Sequence, residues 1–310
     1  MEDKLTILVI GATGAQGGSV AKALLRDKRF AVRAMTRNLH SEKAQALREA
    51  GAEIVTGDLG DPLSLRQAMD GCYGVFGVTS YWEHFGGEFR LGKNLVNAVK
   101  AAGIRHFVFS GMDSYRKLSG GKFPVAHYDV KAELQDYIRE LKLPATFVQA
   151  SFYYENFLNY YPLQKGDNGS LYFGFPQGDT RLASISVEDY GPVVAGIFNH
   201  PYQYFGRTVR AVGADQTGSE YAAAMTRALG RKIWYRYITR EVYASLGFPG
   251  AAELANMFEV QRLYIPHRKL DLIETYALNA DTQPFDHWVL AHREAFIRHI
   301  QAIENESIAV

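Results

Sequence analysis

Residues 5–18 read LTILVIGATGAQGG, an apolar run followed by a glycine turn, and residues 19–26 continue as a helix-like stretch. Gly11 can turn sharply off a strand, Gly14 lets the backbone approach a phosphate, and Gly17 lets the helix pack close to the sheet. The amides at the start of that helix then face the phosphates. The stretch therefore predicts a dinucleotide site at the first strand of an α/β sheet, although a structural turn without a ligand would use the same glycines.

The second predicted strand, residues 31–36, ends at Arg37 and Asn38. An NAD site commonly has an acidic residue here for the ribose 2′-hydroxyl, whereas a cation suits the 2′-phosphate of NADP. Arg37 is a cation with no acidic residue beside it, and His40 and Lys43 add donors nearby. We therefore predict NADP(H) as the cofactor. The alternative is an arginine that is only solvated at a strand end.

The composition is that of an ordinary globular chain, with 310 residues, 47% apolar and 22% charged. The formal net charge of +1 gives no general attraction to nucleic acid or membranes. Cys72 is the single cysteine, which excludes an internal disulfide and fits a reducing compartment. No histidine or cysteine motif predicts a metal site. Without a secretory signal or a long apolar run, we expect a location in the cytoplasm, or in the cytoplasm and nucleus.

Strands and helices alternate regularly up to Ala150, which predicts a doubly wound parallel sheet because parallel strands need crossover connections. Beyond Ala150, short strands and helices are mixed. We therefore predict an α/β fold with a Rossmann domain over residues 1–150 and a smaller C-terminal α+β lobe over residues 151–310, with a ligand cleft between them. Residues 111–124 are predicted as a polar loop, and residues 284–300 as one amphipathic helix.

The candidate catalytic residues are Ser110, at the end of a predicted strand, and residues of the helix that follows it. Short-chain dehydrogenases use a serine, a tyrosine and a lysine four residues after the tyrosine, and the lysine lowers the tyrosine pKa. Here Lys131 is present, but His127 stands four residues before it and Tyr128 three. A Tyr128–Lys131 pair, an acid/base role for His127, and a purely ribose-binding role for Lys131 all remain open.

The segment Tyr153-Tyr154-Glu155-Asn156-Phe157 follows the sixth predicted strand. Its aromatic residues are typical of a core. The polar residues between them could instead reach the nicotinamide end of a bound cofactor.

Several motifs together resemble one family. They are the glycine turn, the stretch Val78-Thr79-Ser80-Tyr81-Trp82, the histidine in place of tyrosine before Lys131, and GFPG at 247–250 with LANMF at 254–258. The chain resembles the NmrA-like proteins, which are atypical short-chain dehydrogenases, and most of all the animal NADPH redox sensors among them. The resemblance covers nearly the whole chain. It implies an NADP-binding domain with a C-terminal lobe, and a regulator that responds to NADPH rather than an efficient dehydrogenase.

The resemblance also implies which residues bind the cofactor. Carried over by position, they are Gly11, Ala12, Thr13, Gly14, Ala15, Gln16 and Gly17 in the turn, Arg37, Asn38, Ser41, Asp58, Leu59, Thr79, Ser80, Tyr81, Arg90 and Lys131, and Tyr153, Tyr154, Glu155 and Asn156. Two positions depart from the family pattern. Arg90 replaces a lysine and keeps its charge, whereas Ser41 replaces another lysine and weakens the grip on the 2′-phosphate.

A protein partner is implied by the same resemblance, because family relatives bind transcription factors in fungi and argininosuccinate synthase in animals. A homodimer is left open. Two functions follow: a sensor that binds NADP(H) and changes its partner surface, and a reductase of small carbonyls or quinones that uses Ser110, Tyr128 and Lys131. Direct DNA binding is a distant third hypothesis, given the neutral charge.

Overall fold

The computed structural model describes residues 4–306. Its strands are β1 (Leu5–Val9), β2 (Phe30–Thr36), β3 (Glu53–Thr56), β4 (Gly74–Gly77), β5 (His106–Ser110), β6 (Ala145–Ala150), β7 (Phe152–Tyr153), β8 (Gln164–Lys165), β9 (Leu171–Phe175), β10 (Arg181–Ile185), β11 (Thr208–Ala211), β12 (Ala214–Thr217) and β13 (Ile233–Tyr237). Its helices are α1 (Ala15–Arg26), α2 (Glu42–Glu49), α3 (Pro62–Met69), α4 (Glu88–Ala101), α5 (Tyr115–Leu118), α6 (Ala126–Glu140), α7 (Asn156–Asn159), α8 (Val187–Asn199), α9 (Pro201–Tyr204), α10 (Gly218–Leu229), α11 (Arg240–Ala244), α12 (Ala251–Tyr264), α13 (Lys269–Leu278), α14 (Phe285–Ala291) and α15 (Arg293–Glu306). Within this part of the chain no helix has the length and apolar character needed to cross a membrane.

Seven parallel strands form the main sheet, in the order β11-β6-β5-β4-β1-β2-β3. The first strand lies in the interior of the sheet, with Ile7 opposite Val32 on one side and Leu8 opposite Val75 on the other. The strand order reverses between β1 and β4, which is where such sheets bind ligands. The predicted doubly wound α/β fold is confirmed.

Helices cover both faces of this sheet. On one face α1 and α8 pack with β1 residues such as Val9 in one buried core, and on the other α3, α4 and α6 pack with Leu8 in a second core. α1 and α8 are in direct contact. The hydroxyl of Ser19 on α1 donates to Glu188 O and accepts from Gly191 N, both in the backbone of α8. Successive residues of β1 are buried in opposite cores, so the sheet lies between two helical layers.

The C-terminal lobe contains two three-stranded sheets, β12-β10-β7 and β13-β9-β8. Its core is mainly aromatic, with Phe175 stacked on Phe258 at a ring distance of 5.1 Å and Trp288 fully buried. Large aromatic side chains bury much apolar surface each, so a small lobe can form its own core. The short strand β7 follows the carboxyl end of β6 in the chain and pairs with β10. It therefore connects the main sheet to the lobe.

The expected boundary at Ala150 does not separate two independent bodies. β11 adds to the main sheet beyond β6, with Val209 opposite Val148, and α8 packs on α1. The chain therefore returns to the first domain after it has begun the lobe. Pairing of a four-residue strand with a distant partner leaves no local signal in a sequence.

Two further expectations need correction. The helix expected over residues 284–300 is divided into α14 and α15 at His292, where φ is −102° and ψ is 14°. The His292 ring stacks on Trp288 at 4.3 Å, and its Nδ1 lies 2.9 Å from Trp288 O, so this side chain closes the end of α14. The loop expected over residues 111–124 contains α5, which Ser114 caps by accepting from Lys117 N.

Candidate functional site

The glycine turn joins β1 to α1 in a conformation that needs its glycines. Gly11 has φ +64°, a region that favours glycine, and its carbonyl accepts from Gly14 N at 2.8 Å. A Cβ on Gly17 would lie 2.2 Å from Gly11 O, so α1 touches the turn directly. No side chain caps α1 at Gly14. The first amides of α1 are therefore available for an anion at this turn.

The residues predicted for the adenosine end follow β2 and β3. Arg37 is exposed, and its Nη2 lies 3.1 Å from Glu83 Oε2. Ser41 caps α2, because its hydroxyl accepts from Ala44 N at 3.3 Å and donates to Asn38 O at 3.2 Å. The Ser41 side chain thus caps α2. Among Arg37, Asn38 and Ser41, only Arg37 carries a positive charge.

Asp58 and Leu59 follow β3 at the same edge of the sheet. The Asp58 carboxylate accepts from Gly60 N at 2.6 Å, and Leu59 O accepts from the Asn94 side-chain amide at 2.9 Å. Both contacts hold the loop between β3 and α3. Arg90 lies on α4 with its side chain exposed. The structure thus places Asp58 and Leu59 after the carboxyl end of β3, at the same edge of the sheet as the glycine turn after β1 and Arg37 after β2.

A buried ion pair lies at the predicted nicotinamide end. Lys131 Nζ donates to Glu88 Oε1 at 2.5 Å and to Thr79 O at 2.7 Å. The Glu88 side chain is 1% exposed, and its second oxygen, Oε2, is buried without a hydrogen-bond partner within residues 4–306. Burial lowers the pKa of Lys131, and the Glu88 carboxylate opposes that shift. Lys131 Nζ also donates to the Thr79 hydroxyl at 3.1 Å, and that hydroxyl donates to Glu88, so three oxygen atoms hold the ammonium.

The sequence prediction missed Glu88. An acidic residue at the first position of a helix is normally explained by the helix dipole and is expected on the surface. What distinguishes Glu88 is its burial against Lys131, which lies on α6 and is brought to α4 only by the fold.

Tyr128 and Lys131, one of the pairings that the sequence leaves open, have different contacts in the structure. The Tyr128 ring packs edge-on against Tyr115 at 4.7 Å beside the core of the C-terminal lobe. Burial raises the pKa of Tyr128 well above its usual range, so its hydroxyl stays protonated. Lys131 faces Thr79 and Glu88 instead. The two side chains therefore have different neighbours, although a three-residue spacing on a helix would allow them to meet.

His127 is paired with a residue of the C-terminal lobe. Its Nδ1 lies 2.5 Å from Glu253 Oε1, and its backbone N–H donates to the same oxygen at 2.8 Å. Burial raises the pKa of Glu253, but the hydrogen bonds from His127 outweigh that effect and hold the pKa below its usual value. The His127 ring also contacts Trp82 at 5.2 Å and Tyr81 at 6.1 Å. Glu253, on α12, thus fixes the imidazole by a contact that no spacing in the sequence indicates.

Ser110 joins the turn to the end of β5. Its hydroxyl donates to Gln16 Oε1 at 2.6 Å and is buried. Tyr153 follows β6 on the short strand β7 and is half-buried, with its pKa raised by that burial. Ser110, Gln16 and Thr79 thus lie along the carboxyl edge of the central strands, which is where the sequence predicts the site.

Tyr154 and Glu155 have roles inside the protein. Tyr154 is fully buried and donates to Gln283 O at 3.1 Å. The Glu155 carboxylate accepts from the Ser186 hydroxyl at 2.8 Å and from Val187 N at 3.1 Å, at the start of α8. Asn156 begins α7 and is half-buried. The side chains of Tyr154 and Glu155 therefore serve the lobe and α8, which leaves Tyr153 and Asn156 as the stronger cofactor candidates of this segment.

A groove of about 1050 Å³ extends from the turn along α1 and is lined by α2, α8 and residues 278–283. It begins at Thr13 and ends near Asp27, on the side of α1 away from Lys131 and His127. Within residues 4–306, no group of three or more His, Cys, Asp or Glu side chains is arranged to hold a metal ion. Cys72 is half-buried, and burial raises the pKa of its thiol, which favours the unreactive form.

Comparison with known proteins identifies the family. The model of the NmrA-like family matches residues 3–280. The chain belongs to the NmrA-like family. An NmrA-like family domain-containing oxidoreductase, FrzB from Cladobotryum, is 32% identical over 276 residues, which cover 81% of this chain and 82% of that protein. The family resemblance expected from the motifs is confirmed, whereas the likeness to the animal redox sensors stays a prediction.

The solved structures agree. NmrA, described as a negative transcriptional regulator, superposes with a TM-score of 0.83 at 25% identity, over 97% of this chain and 98% of that one. The same protein in complex with NADP superposes with a TM-score of 0.81 at 25% identity over the same shares. This NmrA-like chain thus has the Rossmann-like fold of a dinucleotide-binding family.

Proposed function

We propose that this NmrA-like chain binds NADP(H) and acts as a redox-responsive regulator without efficient dehydrogenase turnover. The observation that carries the proposal is the contrast between the two ends of the site. The turn has the tight backbone geometry that a phosphate cradle needs, because a Cβ on Gly17 would strike Gly11 O. At the other end Lys131 is held by Glu88 and Thr79, and the Tyr128 ring packs against Tyr115 beside the lobe core.

The residues present fit the cofactor. The turn and the free amides of α1 suit the pyrophosphate, Arg37 suits the 2′-phosphate, and Lys131 suits ribose hydroxyls. Bound NADPH supplies a hydride. The chain itself binds and orients the cofactor, and the 25% identical NmrA, solved with NADP, supports this assignment.

The first prediction tests the choice of NADP(H). Arg37→Glu should weaken NADP(H) binding about ten- to a hundredfold and NAD(H) binding little, because a charge-assisted contact to phosphate contributes about 1.5 to 3 kcal/mol. Titration calorimetry with both cofactors measures this. Arg298→Glu makes the same charge change on an exposed side chain of α15 and should leave both affinities unchanged. Equal losses for NADP(H) and NAD(H) would show that Arg37 does not read the 2′-phosphate.

The moving part of the regulator is a glycine-containing segment near the nicotinamide end. Residues 111–124 are tied down by Asp129, whose carboxylate accepts from the Ser114 hydroxyl, Arg116 N and Val125 N. Residues 81–87 carry Phe85, which is 66% exposed, and Gly86 with φ +70°. Segment 81–87 is therefore the better candidate for a change on cofactor binding.

The second prediction is that NADP(H) orders this segment and so alters the surface offered to a partner. Hydrogen exchange with and without NADPH should show slower exchange over residues 84–90, and a smaller effect over residues 111–126, because ordering requires contacts that the free segment lacks. Identical exchange over both stretches would leave the regulator without a switch. A regulatory protein, such as a transcription factor or a metabolic enzyme, and a second copy of the chain are the partners of this proposal.

A second candidate function is an NADPH-dependent reductase of small carbonyls or quinones. The pairing of His127 with Glu253 favours it, because an imidazole held at Nδ1 leaves Nε2 for a substrate oxygen, to which the doubly protonated ring can deliver a proton. Relatives named as oxidoreductases add support. The test is NADPH oxidation with a panel of quinones and aldehydes. Sustained turnover that disappears in His127→Gln or Tyr128→Phe would replace the regulator with the reductase.

A further inference from the structure

Arg37, a predicted site residue, forms an ion pair with Glu83, which is not among the predicted site residues. Arg37 Nη2 lies 3.1 Å from Glu83 Oε2, with the side chains 62% and 56% exposed. The same carboxylate oxygen is 3.9 Å from His84 Nε2. Arg37 therefore already has an anionic partner from within the chain, at the position where a 2′-phosphate is expected to bind.

Glu83 belongs to a segment that also reaches the nicotinamide end. Tyr81 and Trp82, just before it, contact the His127 ring. Trp82 also lies against the lobe, because a Cβ on Gly250 would be 2.9 Å from Trp82 Cη2. One short segment thus runs from Arg37 to His127 and the C-terminal lobe.

We infer that Glu83 is a specificity-determining residue that competes with the 2′-phosphate of NADP(H) for Arg37. This inference rests on the proposed binding of NADP(H). A phosphate dianion and a carboxylate attract the same guanidinium, and if Arg37 contacts both, the two anions repel each other. In either arrangement Glu83 weakens the binding of the phosphorylated cofactor. NAD(H) has no 2′-phosphate, so it leaves the pair of Arg37 and Glu83 intact.

The inferred competition would make the change in residues 81–87 depend on which cofactor binds, NADP(H) or NAD(H). Only the phosphorylated cofactor draws Arg37 away from Glu83, so only NADP(H) replaces the contact of residues 81–87 with the end of β2 by the ordering contacts proposed above. Both side chains are exposed, and exposed ion pairs are weak and screened by salt. The expected effect is therefore about two- to fivefold in affinity, largest at low ionic strength.

The experiment compares Glu83→Gln with the parent chain in titration calorimetry at low ionic strength. NADPH should bind about two- to fivefold more tightly to Glu83→Gln, and NADH should bind equally to both. Glu241→Gln is the matched control, because Glu241 is an exposed carboxylate 3.4 Å from Arg240 in the C-terminal lobe. It should change neither affinity.

Two further measurements separate the possible outcomes. In the Arg37→Gln background the gain from Glu83→Gln should shrink, because the guanidinium for which both anions compete is gone. In the parent chain NADPH, but not NADH, should change hydrogen exchange over residues 81–87. If NADPH binds the parent and Glu83→Gln leaves the ratio of the two affinities unchanged, the role of Glu83 is wrong and the proposed function stands. If NADPH does not bind the parent chain, both the role of Glu83 and the proposed function are wrong.

Discussion

Replacing Gly17 by alanine should destabilise the protein by about 3 kcal/mol and weaken NADP(H) binding by at least about tenfold. A Cβ at this position would lie 2.2 Å from Gly11 O, 2.5 Å from Gly11 C and 2.8 Å from Ile10 O. All three are backbone atoms, which cannot rotate away as a side chain can. Alanine gains about 1 kcal/mol in helix propensity, which is too little to offset such a clash. α1 must therefore move off the turn, and its amides move with it.

The measurement is urea unfolding followed by circular dichroism, together with a cofactor titration. Gly18→Ala is the matched control on the same helix, because a Cβ there would lie 3.2 Å from Ala12 O, a contact that a shift of a few tenths of an ångström relieves. Its stability should stay within about 1 kcal/mol of the parent. An unchanged unfolding midpoint for Gly17→Ala would mean that α1 does not pack this closely on the turn.

The features that the sequence predicts well are local ones. The turn, the first six strands and the helices between them follow from apolar runs, caps and glycines that lie within a few residues of each other. The alternation of strands and helices then predicts the parallel sheet. For the same reason the positions of Arg37, Thr79 and Lys131 in this pattern are enough to predict that they lie at the carboxyl edge of that sheet.

What the sequence could not predict depends on contacts between distant residues. Glu253 looks like a surface acid of α12 until the fold brings it to His127, and β11 looks like part of the lobe until it pairs with β6. Glu83 likewise becomes notable only beside Arg37. A charged residue gives no sequence signal of its burial or of its partner, because both are properties of the packed structure.

Lys131→Met should lower the free energy of unfolding by about 3 to 5 kcal/mol, the largest effect that we expect from a single charge removal in this chain. The Glu88 side chain is 1% exposed, and Lys131 supplies its counter-charge at 2.5 Å. Without the ammonium, a buried carboxylate is left with only the hydroxyl of Thr79. Lys117→Met is the control, because Lys117 and Asp136 pair at 2.8 Å with side chains 72% and 46% exposed, so its loss should change the stability little.

The double variant Lys131→Met with Glu88→Gln decides whether this loss arises from the buried charge or only from a change of shape. If charge dominates, the double variant should be more stable than Lys131→Met alone, because the neutral amide is cheaper to bury than an unpaired carboxylate. Urea unfolding of the four chains at neutral pH gives the coupling between the two positions. Losses that simply add would contradict the ion pair as the source of the stability. Cofactor titration of the same chains then tests Lys131 separately, because the proposed contact with the ribose would be lost in Lys131→Met whether or not Glu88 is charged.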